Sequence, residues 1–154
     1  MVFSIVLLAV LVGLVLSKPA IWISRQWNLI DDPETGAHKI HHFPVQKAGG
    51  LILFLSLICC LILTSTGRDN EVRTIVGAMT IVFIFGLWDD RKGLSAPWKF
   101  LGQFLAVSWL IGGGIQVNIT GSLLLNIFLT VVWVLGITNA FNLVDSKDGL
   151  ALGL

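Results

Sequence analysis

The chain has 154 residues, 55% of them hydrophobic and 12% charged, and a mean hydropathy of +0.88. An ordinary soluble domain carries roughly 25% charged residues, so a soluble globular domain is excluded. The formal net charge is +1 and there is no basic tract, which gives no support to a nucleic-acid partner.

The apolar residues fall in runs and the charges sit between them. Only apolar segments that satisfy their own backbone tolerate the bilayer core, so this is the layout of a polytopic membrane protein. Five spans are predicted. The first covers residues 2–23 and is weakened near Lys18 and Pro19. Residues 2–16 have the length of a signal-peptide core, but no basic region precedes them and no small-x-small cleavage site follows, so this span is expected to be retained. The second covers residues 48–66 and holds Cys59 and Cys60 mid-span, where they read as packing residues and not as a disulfide. The third covers residues 72–88, the fourth 100–115 and the fifth 119–143. A crossing takes roughly 20 residues, so the third and fourth must borrow flanking residues. Trp22, Trp27, Trp88 and Trp98 lie near span ends, where indole is favoured. The expectation is an all-α polytopic membrane protein of about five transmembrane helices, forming a single membrane domain over residues 1–154.

The loops set the orientation. Lys18, Arg25, Lys39 and Lys47 follow the first span, Arg91, Lys92 and Lys99 the third, and Lys147 the fifth. Only Arg68 and Arg73 fall on the other side, so the two sides carry eight and two. The positive-inside rule makes the richer side cytoplasmic and places the N-terminus outside. Three polar segments then share the cytoplasmic face: HKIHHFPVQKAGG, the pair Asp89-Asp90, and NAFNLVDSKDG. The outer links are short, and the NIT sequon at Asn118 matters only in a glycosylating compartment.

Asp89 and Asp90 end an uncharged apolar run. Adjacent carboxylates repel each other and the C-terminal end of a helix dipole, so something positive should compensate; Arg91 and Lys92 supply part of it. The pair reads either as a solvated helix end or as a site for chemistry near a phosphate–metal complex. Asn139, Asn142, Asp145 and Asp148 recur every third residue, which makes successive members neighbours on a helix. Such a stripe where an apolar span meets water is either a polar anchor or a ligand site, and the second reading is favoured because Asn139 follows the apolar stretch directly. Lys147 is a phosphate contact or an internal counter-ion. His38, His41 and His42 lack clean metal-ligand spacing and, beside Lys39 and Lys47, suit phosphate contact as well as zinc. A basic loop attracting anionic lipid is the plainer account.

Three motifs in order carry a resemblance. They are Asp31, Pro33, Lys39, His41, Pro44, Lys47, Gly49 and Gly50; DDRKGLSAPWK followed by Gln103; and NAFNLVDSKDGLA. Together they resemble the polyprenyl-phosphate N-acetylhexosamine-1-phosphate transferases, the MraY/WecA family, over residues 31–154, and the H-x-x-P loop is closer to the WecA-like branch. Departures are a longer stretch between Pro33 and His41, Gln46-Lys47 where Pro-Arg is common, and Ser146-Lys147 where Gly and an apolar residue are frequent. Members have about ten spans, so the chain resembles the N-terminal half of a larger transferase fold, and its end at LALGL reads as a truncation or fragment.

The resemblance implies transfer of a sugar-1-phosphate from a UDP-amino sugar, best UDP-N-acetylglucosamine, to undecaprenyl or another polyprenyl phosphate with release of UMP. That reaction serves cell-envelope polysaccharide synthesis at the bacterial inner membrane, with cytoplasmic active-site loops. It implies Mg2+, with Mn2+ as the alternative. Asp89 and Asp90 would be catalytic, as an orienting base or through a covalent aspartyl route. His41, Lys47, Asn139, Asp145 and Asp148 would bind substrate, and Asn142 the metal. The other readings are a non-catalytic membrane fragment or subunit that binds lipid phosphate or a partner chain, and a cation transporter, which fits less well because the charges cluster at span ends. A homo-oligomer or a completing chain would supply what half a fold lacks.

Overall fold

The computed structural model describes residues 2–27, 29–31, 45–46, 48–64 and 69–145. Each apolar run becomes one helix, the form in which a single segment satisfies its own backbone in lipid. These are α1 (Val2–Gln26), α2 (Gly49–Leu63), α3 (Asn70–Lys92), α4 (Ala96–Gly112) and α5 (Leu123–Asp145). Leu7–Gln26 within α1, Asn70–Lys92, and Leu123–Asn142 within α5 are long and apolar enough to cross a membrane. The other two are shorter, α2 with 15 residues and α4 with 17. The chain is an all-α, multi-pass membrane protein. One feature not predicted is a short antiparallel ladder between β1 (Ile30–Asp31) and β2 (Val45–Gln46), pairing Ile30 with Gln46 and Asp31 with Val45. Two residues a side are too few to leave a readable alternation.

The distribution of side chains is that of a lipid-facing protein. Large apolar groups point outward on every helix, among them Val15, Leu53, Ile84, Phe104, Leu124 and Trp133. Most buried positions are small or polar, among them Ala20, Ser24, Ser56, Thr74, Ala78, Gln103, Ala106, Asn126 and Thr130, with Leu29, Leu51 and Val107 as larger apolar exceptions. In water this arrangement would aggregate. In lipid, helices associate through close packing of small residues and interhelical hydrogen bonds.

Helix ends differ from the predicted spans for local reasons. α1 keeps Lys18 and Pro19 inside it and continues past Ile23 to take in Arg25 as well. Lys18 is exposed, and its long stem suits it to reach the interface from within the span. In the last turn of α1, buried Ser24 accepts the Leu29 N–H on its carbonyl (2.9 Å) and donates its hydroxyl to the Leu29 carbonyl (3.1 Å). α3 also runs on, taking Asp89, Asp90, Arg91 and Lys92 into its last turn. It stops at Gly93, whose φ of 64° is left-handed and whose N–H donates to the Asp89 carbonyl at 2.7 Å. This is the single-bond glycine cap. Gly93→Ala should therefore destabilise the protein by about 1 kcal/mol, read as an earlier midpoint in a denaturing-detergent titration.

The chain clusters into two compact units, Met1–Arg68 with Gly86–Gly93, and Asp69–Phe85 with Leu94–Leu154. In the first, α1 packs on α2. A Cβ at Gly13 would lie 3.4 Å from the Ser56 hydroxyl oxygen, so the helices approach closely there. In the second, α4 packs on α5, and α3 meets α4 through three glycine contacts. The Trp109 indole lies over Gly77, the Phe85 ring over Gly102, and the Thr74 side chain over Gly113.

The link between α4 and α5 is held by side chains of α5. Buried Asn126 accepts on Oδ1 from the backbone N–H of Ile119 (3.3 Å) and Thr120 (3.0 Å) and from the Thr120 hydroxyl (2.8 Å). Its Nδ2 donates to the Thr120 carbonyl at 3.0 Å. Buried Thr130 accepts the Val117 N–H at 2.9 Å and donates to the Asn126 carbonyl at 2.7 Å. Asn126→Leu keeps the bulk and removes every one of the side-chain bonds. It should destabilise the protein by about 1–3 kcal/mol, checked by the same titration.

Candidate active site

Two helix ends carry the candidate residues. The first is the last turn of α3. Asp89 is half-buried and Asp90 is exposed, and both belong to the helix and not to a loop after it. Consecutive residues on a helix point about 100° apart, so the two carboxylates cannot serve one small ligand in the same way. Arg91 and Lys92 complete the turn and complement the negative end of the helix. After Gly93 the chain enters α4 with Pro97 in its first turn, where a missing N–H costs nothing. The Ser95 carbonyl accepts from the N–H groups of Trp98 (3.0 Å) and Lys99 (3.3 Å), which fixes Lys99 in the opening turn of α4.

The second is the end of α5, which extends to Asp145 and so carries Asn139, Asn142 and Asp145 on consecutive turns. Asn142 is exposed and Asn139 half-buried. Asn139 already has partners. Its Nδ2 donates to Gln103 Oε1 at 2.9 Å and to the Leu135 carbonyl at 2.8 Å, and its Oδ1 accepts from Gln103 Nε2 at 3.3 Å. Gln103 sits on α4 and is only 6% exposed. Sequence reasoning met Gln103 as a motif position and missed this pairing, which spans 36 residues and leaves no local pattern.

His41, Lys47 and Asp148 lie outside the described residues, as do His38 and His42. The structure thus brings together Asp89 with Asp90, and Asn139 with Asn142 and the backbone of Asp145. Among the described residues no three His, Cys, Asp or Glu side chains gather into a group that could hold a metal. The donors present at the two helix ends, carboxylate and amide oxygen, are hard ligands of the kind Mg2+ takes. Mg2+ uses one or two protein ligands and fills its shell with substrate phosphate and water, so the donor chemistry fits the ion.

The sequence profile of glycosyl transferase family 4 matches residues 72–154, more than half of the chain. The chain belongs to glycosyl transferase family 4. Curated relatives of this family-4 chain carry names of the same kind. A Bacillus subtilis (strain 168) protein, named a probable undecaprenyl-phosphate N-acetylglucosaminyl 1-phosphate transferase, is 30% identical over 86% of this chain and 39% of its own length. The decaprenyl-phosphate N-acetylglucosaminephosphotransferase of Mycobacterium tuberculosis (strain CDC 1551 / Oshkosh) is 33% identical over 75% of this chain and 33% of its own. The phospho-N-acetylmuramoyl-pentapeptide-transferase of Chlamydia muridarum (strain MoPn / Nigg) is 27% identical over 95% of this chain and 53% of its own. The family-4 chain therefore spans from a third to about half the length of these relatives. No solved structure matches it significantly. The family match includes both helix ends described above, α3 through α5.

Proposed function

We propose that the protein built around this chain transfers an N-acetylhexosamine-1-phosphate, best from UDP-N-acetylglucosamine, to a polyprenyl phosphate and releases UMP. The names of the bacterial relatives support the lipid acceptor and the amino sugar. The observation that carries the reading for this chain is the position of Asp89 and Asp90 on the last turn of a membrane-length helix. Carboxylates at the end of a span are suited to meet a phosphate carried on a lipid. We place that end in the cytoplasm of a bacterial plasma membrane, with the N-terminus outside, from the charge bias of the loops.

In the reaction a phosphate oxygen of the polyprenyl phosphate attacks the phosphorus attached to the sugar. A P–O bond forms to make the lipid diphosphate, and the P–O bond to UMP breaks, UMP leaving with the electron pair. The acceptor's second pKa is about 6, so at pH 7 it is mostly dianionic and needs little deprotonation. Asp89 or Asp90 then orients the acceptor or takes the residual proton. Lys47 and His41 would contact phosphate, Asn142 would hold Mg2+, and Asp145 and Asp148 would bind the nucleotide or order the metal's ligands. The ion would supply positive charge that screens the reacting phosphates.

The test is reconstitution in vesicles containing polyprenyl phosphate, with Mg2+ and UDP-N-acetylglucosamine, of the product of the whole reading frame that encodes this chain. UMP released in step with a lipid-linked sugar is expected. UMP without lipid-linked sugar would mean hydrolysis of the UDP-sugar, and binding of polyprenyl phosphate without turnover would leave a lipid-phosphate-binding subunit; either result refutes the transferase reading.

A further inference from the structure

We infer that Gln103 is a positioning residue for this reaction and that Asn139 acts through it, as a strut and not as a substrate ligand. The inference rests on the transferase reading for what is positioned, but the strut itself stands on hydrogen bonding alone.

A buried carboxamide between apolar helices is unfavourable unless its polar atoms are paired. Gln103 meets that condition through Asn139. Asn139 in turn has two amide hydrogens, and both are used, one on Gln103 and one on Leu135 one turn back along α5. No N–H of Asn139 is left to donate to a phosphate, a sugar hydroxyl or a uracil carbonyl. Its Oδ1 already receives the Gln103 N–H, so of the polar capacity of the Asn139 side chain only one lone pair is uncommitted.

The pair does something an apolar contact could not. Two leucines facing each other tolerate a small slide or rotation of one helix on the other. A reciprocal amide pair has one register, because displacement breaks both bonds at once. Asn142 follows Asn139 by three residues on the same rigid helix, and Asp145 follows by three more. Fixing Asn139 against α4 therefore fixes the direction in which the exposed Asn142 faces. Gln103 sets that direction without meeting substrate.

The experiment compares the native protein with Gln103→Leu, Asn139→Leu, both together, and the exchanged pair Gln103→Asn/Asn139→Gln. Gln103→Leu is expected to lower kcat by roughly 10- to 100-fold, since small misplacement of a site is enough for that. It should leave KM for the UDP-sugar within about twofold, because ground-state binding is untouched. Adding Asn139→Leu should lower kcat no further than about twofold more, as expected when two residues act as one unit. The exchanged pair should recover at least part of the loss. A raised KM in Asn139→Leu, or a cost that adds in full to that of Gln103→Leu, overturns the inference and makes Asn139 a direct ligand. If Gln103→Leu does not reach the membrane, Gln103→Asn is read in its place.

A nitroxide at Asn142→Cys, in a Cys59→Ala/Cys60→Ala background, gives a readout that needs no turnover. Its spectral line shape should change in Gln103→Leu and return in the exchanged pair; an unchanged line shape overturns the inference. If the native protein shows no turnover, the transferase reading fails by itself, and the nitroxide still decides whether Gln103 positions residue 142.

Discussion

Asp89→Asn or Asp90→Asn is expected to cut turnover by roughly 100-fold, the size of loss that misorienting a reacting group can cause. Each substitution removes charge and keeps shape, so packing is preserved. UMP release, measured on preparations matched for folded protein, checks this. Near-normal turnover in both variants would remove the two residues from the mechanism.

Gly77→Ala and Gly102→Ala are each expected to destabilise the protein by about 1–3 kcal/mol, the usual cost of forcing atoms into a filled space. A Cβ at Gly77 would meet the Nε1 edge of the Trp109 indole, and one at Gly102 would meet Cγ, Cδ1 and Cβ of Phe85. Neither neighbour can yield by swinging a flexible tip. Gly86 is the internal control. It lies on the same helix as Gly77, and a Cβ there meets nothing within 4 Å. Gly86→Ala should be neutral or stabilising by up to about 1 kcal/mol, from helix propensity alone. Denaturing-detergent titration of the three variants separates the accounts: equal effects at all three positions would mean that propensity, and not close packing, sets the cost. Trp109→Leu combined with Gly77→Ala should recover part of the loss.

The five helices were legible because each apolar run has the length of a helix and the charges punctuate them. Their ends were less so. Asp89 and Asp90 are expected at the C-terminal end of a helix and do lie in the last turn of α3; what the span 72–88 left out is that the helix continues to Lys92, with the stop signal at Gly93 followed by Pro97. The start of α5 was placed four residues early, because Ile119 is apolar, whereas residues 115–122 form an irregular link. Thr120 drew attention as part of a sequon; its hydroxyl bonds Asn126. The signal that could have found Asn126 was its isolation in LLLNIFLT, since a lone amide in an apolar helix needs a partner. For the site, the i, i+3 spacing placed Asn139, Asn142 and Asp145 on one helix correctly. That Asn139 is engaged by Gln103 depends on how two helices pack, which local spacing does not encode.

The link held by Asn126 and Thr130 bears on how the protein enters its membrane. In the orientation proposed above, residues 115–122 must be carried across the hydrocarbon to the far side as the α4–α5 hairpin inserts. A backbone group left without a partner there costs several kilocalories per mole. The N–H groups of Val117, Ile119 and Thr120 have their acceptors on α5, at most 13 residues away in the chain. They can pair as soon as that helix forms, before the hairpin reaches water on the other side. Asn126 and Thr130 thus do during biogenesis what solvent would do for an ordinary loop, and they lower the barrier to translocating a stretch that is neither helix nor strand.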